Sequence, residues 1–121
     1  MTLFAVNAEL LGIFNNLLHD LYIQIPSGGF EVKDERTWID FVDWDHCIHR
    51  DFAATYRLYV YSILSLESRG DISRLPGNEA QLNKIKFRDN IVQFECVHPF
   101  QLICKVKELR LGLDQVDSPS A

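Results

Sequence analysis

The sequence has little of what usually announces a function. Its 121 residues hold three cysteines, one methionine, four prolines and six glycines. Cys47, Cys96 and Cys104 are an odd number with no CxxC spacing, which argues for reduced thiols in a cytoplasmic setting rather than a disulfide framework or a zinc ribbon. No apolar run approaches the ~20 residues of a membrane span. The first ten residues, MTLFAVNAEL, lack a basic leader and are interrupted by Glu9, so no secretory signal is expected. HExxH, GxSxG, GxGxxG and P-loop patterns are all missing, which removes the sequence signatures of zinc proteases, serine hydrolases and nucleotide-phosphate cradles.

Positive charge is scarce as well. Twelve Lys and Arg face seventeen Asp and Glu, for a net charge of −5, and residues 1–30 contain no Lys or Arg at all. Residues 31–51 carry the largest excess, with Glu31, Asp34, Glu35, Asp40, Asp43, Asp45 and Asp51 against Lys33, Arg36 and Arg50. A phosphate backbone is repelled by such a surface, so direct binding of nucleic acid or of an anionic membrane is disfavoured. With 47% hydrophobic residues the chain is an ordinary globular one, and its length suits one domain.

Apolar spacing predicts an α+β domain of three main helices packed with an antiparallel β-hairpin. Val6, Leu10, Ile13, Phe14, Leu17, Leu18 and Leu21 follow helical spacing across 3–23. Phe30 and Val32 alternate with Glu31 and Lys33, so 30–33 is available as a third short strand. A short helix is expected at 37–44, capped by Thr37. A long helix is expected at 48–69, apolar nearly all round and stopped by Gly70. Residues 84–96 read as a hairpin turning at Asp89-Asn90, with Phe87 facing Val92 and Ile85 facing Phe94. Pro99 suits the start of a third helix that Gly112 would stop. The globular domain is therefore expected over 1–113, with 114–121 as a frayed tail.

Two constellations stand out. Asp43, Asp45, His46 and His49 supply two imidazoles and two carboxylates within seven positions, the donor types that zinc or non-haem iron accepts. No distant His or Cys cluster accompanies them, so a carboxylate capping a helix explains them more simply, and no cofactor is expected. Cys47, between His46 and His49, reads as a packed thiol rather than a nucleophile. The second constellation is the acidic stretch itself, which also contains Trp38, Phe41 and Trp44. Aromatic anchors ringed by carboxylates suit a protein interface that receives a basic partner.

The expectation is accordingly a non-enzymatic protein-binding module, in the manner of an inhibitor or an immunity protein that neutralises a basic toxin nuclease. Glu31, Asp34, Glu35, Asp40, Asp43, Trp44 and Asp45 would form its partner-binding surface. Two alternatives differ in class. One is a metal-dependent enzyme or metal-binding protein using Asp43, Asp45, His46 and His49. The other is a structural subunit whose apolar 48–69 segment completes an oligomer's core.

Overall fold

A computed structural model describes residues 2–43, 56–71, 76–97 and 100–116. The architecture is mainly β: the described residues form nine strands and one α-helix in the order β1 (Thr2–Ala5), α1 (Ala8–Leu18), β2 (Tyr22–Gln24), β3 (Thr37–Val42), β4 (Tyr56–Val60), β5 (Ile63–Gly70), β6 (Glu79–Arg88), β7 (Ile91–Cys96), β8 (Phe100–Val106) and β9 (Leu111–Gln115). All the strand pairs are antiparallel, and their spatial order is β1-β9-β4-β3-β2-β6-β7-β8-β5. Among the described residues no helix is long and apolar enough to cross a membrane.

The expected three-helix α+β arrangement is thus overturned, and each helix fails for a stated reason. The 3–23 helix shrinks to Ala8–Leu18, because Asn7 caps it with its side chain accepting from the Leu10 amide at 2.9 Å. Residues 2–5 instead pair with 111–114 of β9, a partner more than a hundred positions away. The 37–44 helix is β3, whose Thr37, Ile39 and Phe41 are buried in strict alternation. The described part of the 48–69 helix is β4 and β5. Tyr56, Tyr59, Val60, Tyr61 and Ile63 are strand-forming types, and an all-round apolar run fits two strands turned at Ser62 (φ 57°) as well as a central helix. The helix after Pro99 is β8, which buries Phe100, Leu102, Cys104 and Val106 at period 2. Gly112 and Asp114 lie inside β9 rather than at a helix stop and in a tail, and 30–33 forms no strand beyond a bridge of Lys33 with Arg36.

The hairpin is as expected. Phe87 faces Val92, Ile85 faces Phe94, Lys86 faces Gln93 and Lys84 faces Glu95. Asp89 and Asn90 both take positive φ, the backbone that a two-residue turn of the right twist requires.

Two half-sheets share one core. β6 joins them: residues 79–81 pair with β2, then a register shift between Leu82 and Lys84 turns the strand so that its remainder pairs with β7 alone. The edge of β6 left open by the end of β2 is dressed by α1. Asn15 accepts from the Ile85 amide at 2.7 Å and donates to the Ile85 carbonyl at 3.0 Å, imitating a neighbouring strand with its side-chain amide. Leu11, Phe14 and Leu18 of α1 are buried beneath it, while Ile13 and Leu17 of the expected core stripe face outward. Ile39, Phe41, Leu58 and Leu113 from one half-sheet and Ile85, Phe94, Phe100 and Leu102 from the other fill a single cluster. At roughly 1.5–3 kcal/mol per buried large side chain, that cluster is the main favourable term in folding.

Candidate binding face

The half-sheet β1-β9-β4-β3 buries one face and turns the other outward, so strand register alone decides which side chains share the outer surface. One row across it reads Thr2, Asp114, Arg57, Asp40, and the next reads Phe4, Gly112, Tyr59, Trp38. Arg110, Tyr61 and Arg36 continue the face beyond the ends of these strands. At ~4.8 Å between strands, four positions in a row cover about 14 Å.

Trp38 and Phe4 mark the two ends of the second row, each with 45% of its surface exposed. Between them Gly112 has no side chain, and Tyr61 occupies that gap: a Cβ at Gly112 would meet the Tyr61 ring at 3.3 Å. Tyr61 also stacks on Tyr59, with 6.2 Å between centroids, and lies 6.4 Å from Phe4. Guanidiniums cover the ring faces. Arg57 sits 5.6 Å over Trp38, and Arg110 lies 5.0 Å from the centre of Tyr61 and 5.8 Å from that of Phe4. A depression of about 380 Å³ opens among Thr2, Phe4, Arg36, Trp38, Arg57, Tyr59, Tyr61 and Asp114.

The electrostatics of this face are mixed. Arg57 donates to both carboxylate oxygens of Asp40, at 2.8 and 3.2 Å, and this hydrogen bonding raises the Arg57 pKa above its usual value. Thr2 donates to Asp114. Among the described residues Arg36 and Arg110 form no ion pair with a carboxylate, so each offers a cation to an incoming group.

The carboxylates singled out in the sequence do not converge on one patch. Glu31, Asp34 and Glu35 are exposed in the loop before β3, where Glu35 is held by Lys107 at 2.6 Å. Asp40 is on the outer face, neutralised by Arg57. Asp43 follows the far end of β3. Seven residues lie between Glu35 and Asp43, and the six of β3 alone span roughly 17 Å. Trp44, Asp45, His46, Cys47 and His49 lie outside the described residues, so the metal alternative falls there. Among the described residues no three His, Cys, Asp or Glu side chains gather closely enough to hold a metal ion. Phe41, paired with Trp38 in the sequence argument, is a core residue. The two described cysteines are buried free thiols whose pKa values are pushed up to about 12, mainly by burial, with the nearby Glu95 charge adding to the effect at Cys96. They are poor nucleophiles.

Sequence reasoning missed Phe4, Tyr59, Tyr61, Arg36, Arg57 and Arg110 as members of one surface. A local signal existed in the alternation Arg57-x-Tyr59-x-Tyr61, which aims three polar or amphipathic side chains to one side of a strand. Comparison with family models, curated proteins and solved structures gives no match to this chain.

Proposed function

We propose that this protein is a non-enzymatic protein-binding module that holds its partner on the outer face of β1-β9-β4-β3. The observation that carries this reading is the pairing of exposed aromatics with available guanidiniums: Trp38 and Phe4 flank Tyr59 and Tyr61, with Arg36 and Arg110 making no ion pair among the described residues. Trp, Tyr and Arg are the types that dominate measured interface energies, because they desolvate large areas while keeping a polar or charged tip. The open shape of the depression suits a protein surface better than an enclosed small molecule.

Aromatic–arginine faces also stack nucleobases. Here Asp40 and Asp114 stand in the same outer row and the chain carries −5 overall, which opposes a phosphate backbone and favours protein. An inhibitor or immunity role against a basic toxin draws its support from that overall charge, which would steer a basic partner from a distance. The contact itself would be made by the aromatic row rather than by a converged acidic patch. Buried free thiols suit the reducing cytoplasm.

Immobilised wild-type protein and a Trp38→Ala/Tyr59→Ala variant, exposed to extract of the native host, provide the test. A protein retained by the wild type and lost by the folded variant is expected. Equal retention by both would reject the face as the binding site.

A further inference from the structure

The sheet has two edge strands, and they are built differently. β5 carries Glu67 and Arg69, both well exposed, and a register shift between Ile63 and Ser65. Charges and bulges on an edge are the devices by which natural sheets discourage a further strand from pairing. β1 has neither. Its sequence is Thr2-Leu3-Phe4-Ala5, with no charge, no proline and no register shift against β9. Among the described residues no strand occupies its outer side. Leu3 points toward the core side yet is 43% exposed, Phe4 is exposed on the outer face, and Val6 just beyond the strand is 55% exposed. Three large hydrophobic side chains within four positions are therefore exposed beside a strand edge that pairs with no strand among the described residues.

We infer that β1 is the site of strand addition: an extended segment of a partner protein, carrying acidic side chains on one side and apolar ones on the other, pairs with its open edge. This inference rests on the proposed binding role of the adjoining face and specifies how the partner enters it. Alternation within an added strand sends one set of side chains inward to cover Leu3 and the other set outward beside Phe4. Beyond Phe4 the outward set has Arg110 as its nearby cation, whose guanidinium lies 5.8 Å from the Phe4 ring and 5.0 Å from that of Tyr61 and makes no ion pair among the described residues, within reach of a long acidic side chain. A carboxylate there would form a charge-assisted contact, which sets the acidic choice.

The same guanidinium argues against a second copy of this chain. Pairing of β1 with its own copy would set a second Thr2-Leu3-Phe4-Ala5 beside Phe4, a strand with no carboxylate to offer Arg110. A partner that is basic overall can still present a short acidic segment, so the overall charge of −5 and the contact at Arg110 act on different parts of it.

Hydrogen exchange of the β1 amides in the full-length protein tests this with a probe of alternating valine and glutamate, N-methylated at alternate residues so that one edge alone can pair. The expected result is at least tenfold slower exchange in β1 with β5 unchanged. Leu3→Lys, which places on β1 the device that β5 already has, should abolish the effect, and Arg110→Gln should weaken binding about tenfold. Unchanged β1 exchange at millimolar probe would overturn the inference, as would equal protection by the lysine counterpart of the probe. Perturbed Trp38 and Tyr59 resonances with β1 still exchanging would also overturn strand addition while leaving the outer face as a binding surface. β1 protection without probe, in a protein that light scattering shows to be dimeric, would assign the edge to a second copy instead.

Discussion

The two half-sheets share a core but differ outside it. On β7, β8 and β5 the outward side chains are mainly polar and of both signs (Gln93, Glu95, Gln101, Lys105, Glu67 and Arg69, with Ile91 and Ile103 among them), and the terminal strand is charged. Glu95 there is tied to Lys86 at 2.7 Å, and Gln93 donates to Gln101 at 2.5 Å. On β1, β9, β4 and β3 the outward surface is a row of aromatics under guanidiniums, and the terminal strand is uncharged. A sheet that merely needed solubility would be finished alike on both halves. Under the proposed role, the first half is the one that meets a partner.

Inside, the halves should be equivalent, and that is where the largest effects lie. Phe41→Ala in one half and Phe94→Ala in the other should each cost about 3–5 kcal/mol in denaturant unfolding. A loss under 1 kcal/mol at either site would show that the two halves do not share one core. Outside, they should separate. Trp38→Ala is expected to weaken partner binding about 30-fold, equivalent to ~2 kcal/mol, while changing stability by under 1 kcal/mol. Lys86→Ala on the other half should leave binding within about twofold, since exposed ion pairs contribute ~0–1 kcal/mol.

Alkali offers a third contrast, because both described thiols, Cys96 and Cys104, belong to the second half. Burial raises each folded pKa to about 12 from a usual value of 9.0, so the unfolded chain loses these protons first. Stability is therefore full below pH 9 and falls as pH rises toward 12, by about 1.4 kcal/mol per pH unit for each thiol. A Cys96→Ala/Cys104→Ala variant should lose that part of the slope in thermal scans, and an identical slope would refute its assignment to the thiols. The last contrast concerns the aromatic row itself. Gly112→Ala places a Cβ 3.3 Å from the Tyr61 ring and should cost about 1 kcal/mol of stability while displacing Tyr61, read as a shift in its ring resonances.

Local sequence revealed one part of this fold well. The 84–96 hairpin was legible because its turn, its apolar face and its polar face all lie within thirteen residues and agree on one register. The other strands were hidden by two physical circumstances. β1 pairs with β9 across nearly the whole chain, and no local pattern reports such a partner. β4 and β5 carry apolar residues on both sides, so the period-2 signal is blurred and a buried helix fits the same letters. β8 had a clean alternation at Phe100, Leu102, Cys104 and Val106, but Pro99 and the basic residues after it favoured a helical reading. The candidate face is illegible for the same reason as the sheet: Trp38, Tyr59 and Phe4 become neighbours only through register. Trp38 and Asp40 stand out in the sequence only for the acidic stretch around them, while their neighbours Arg57 and Tyr59 come from another strand.

The claim that the aromatic row, not the acidic stretch, holds the partner can be tested by one titration series on whichever protein the wild type retains. The account predicts that Trp38→Ala weakens that complex about 30-fold while a Glu31→Gln/Asp34→Asn/Glu35→Gln triple variant weakens it under threefold. The reverse ranking would contradict it.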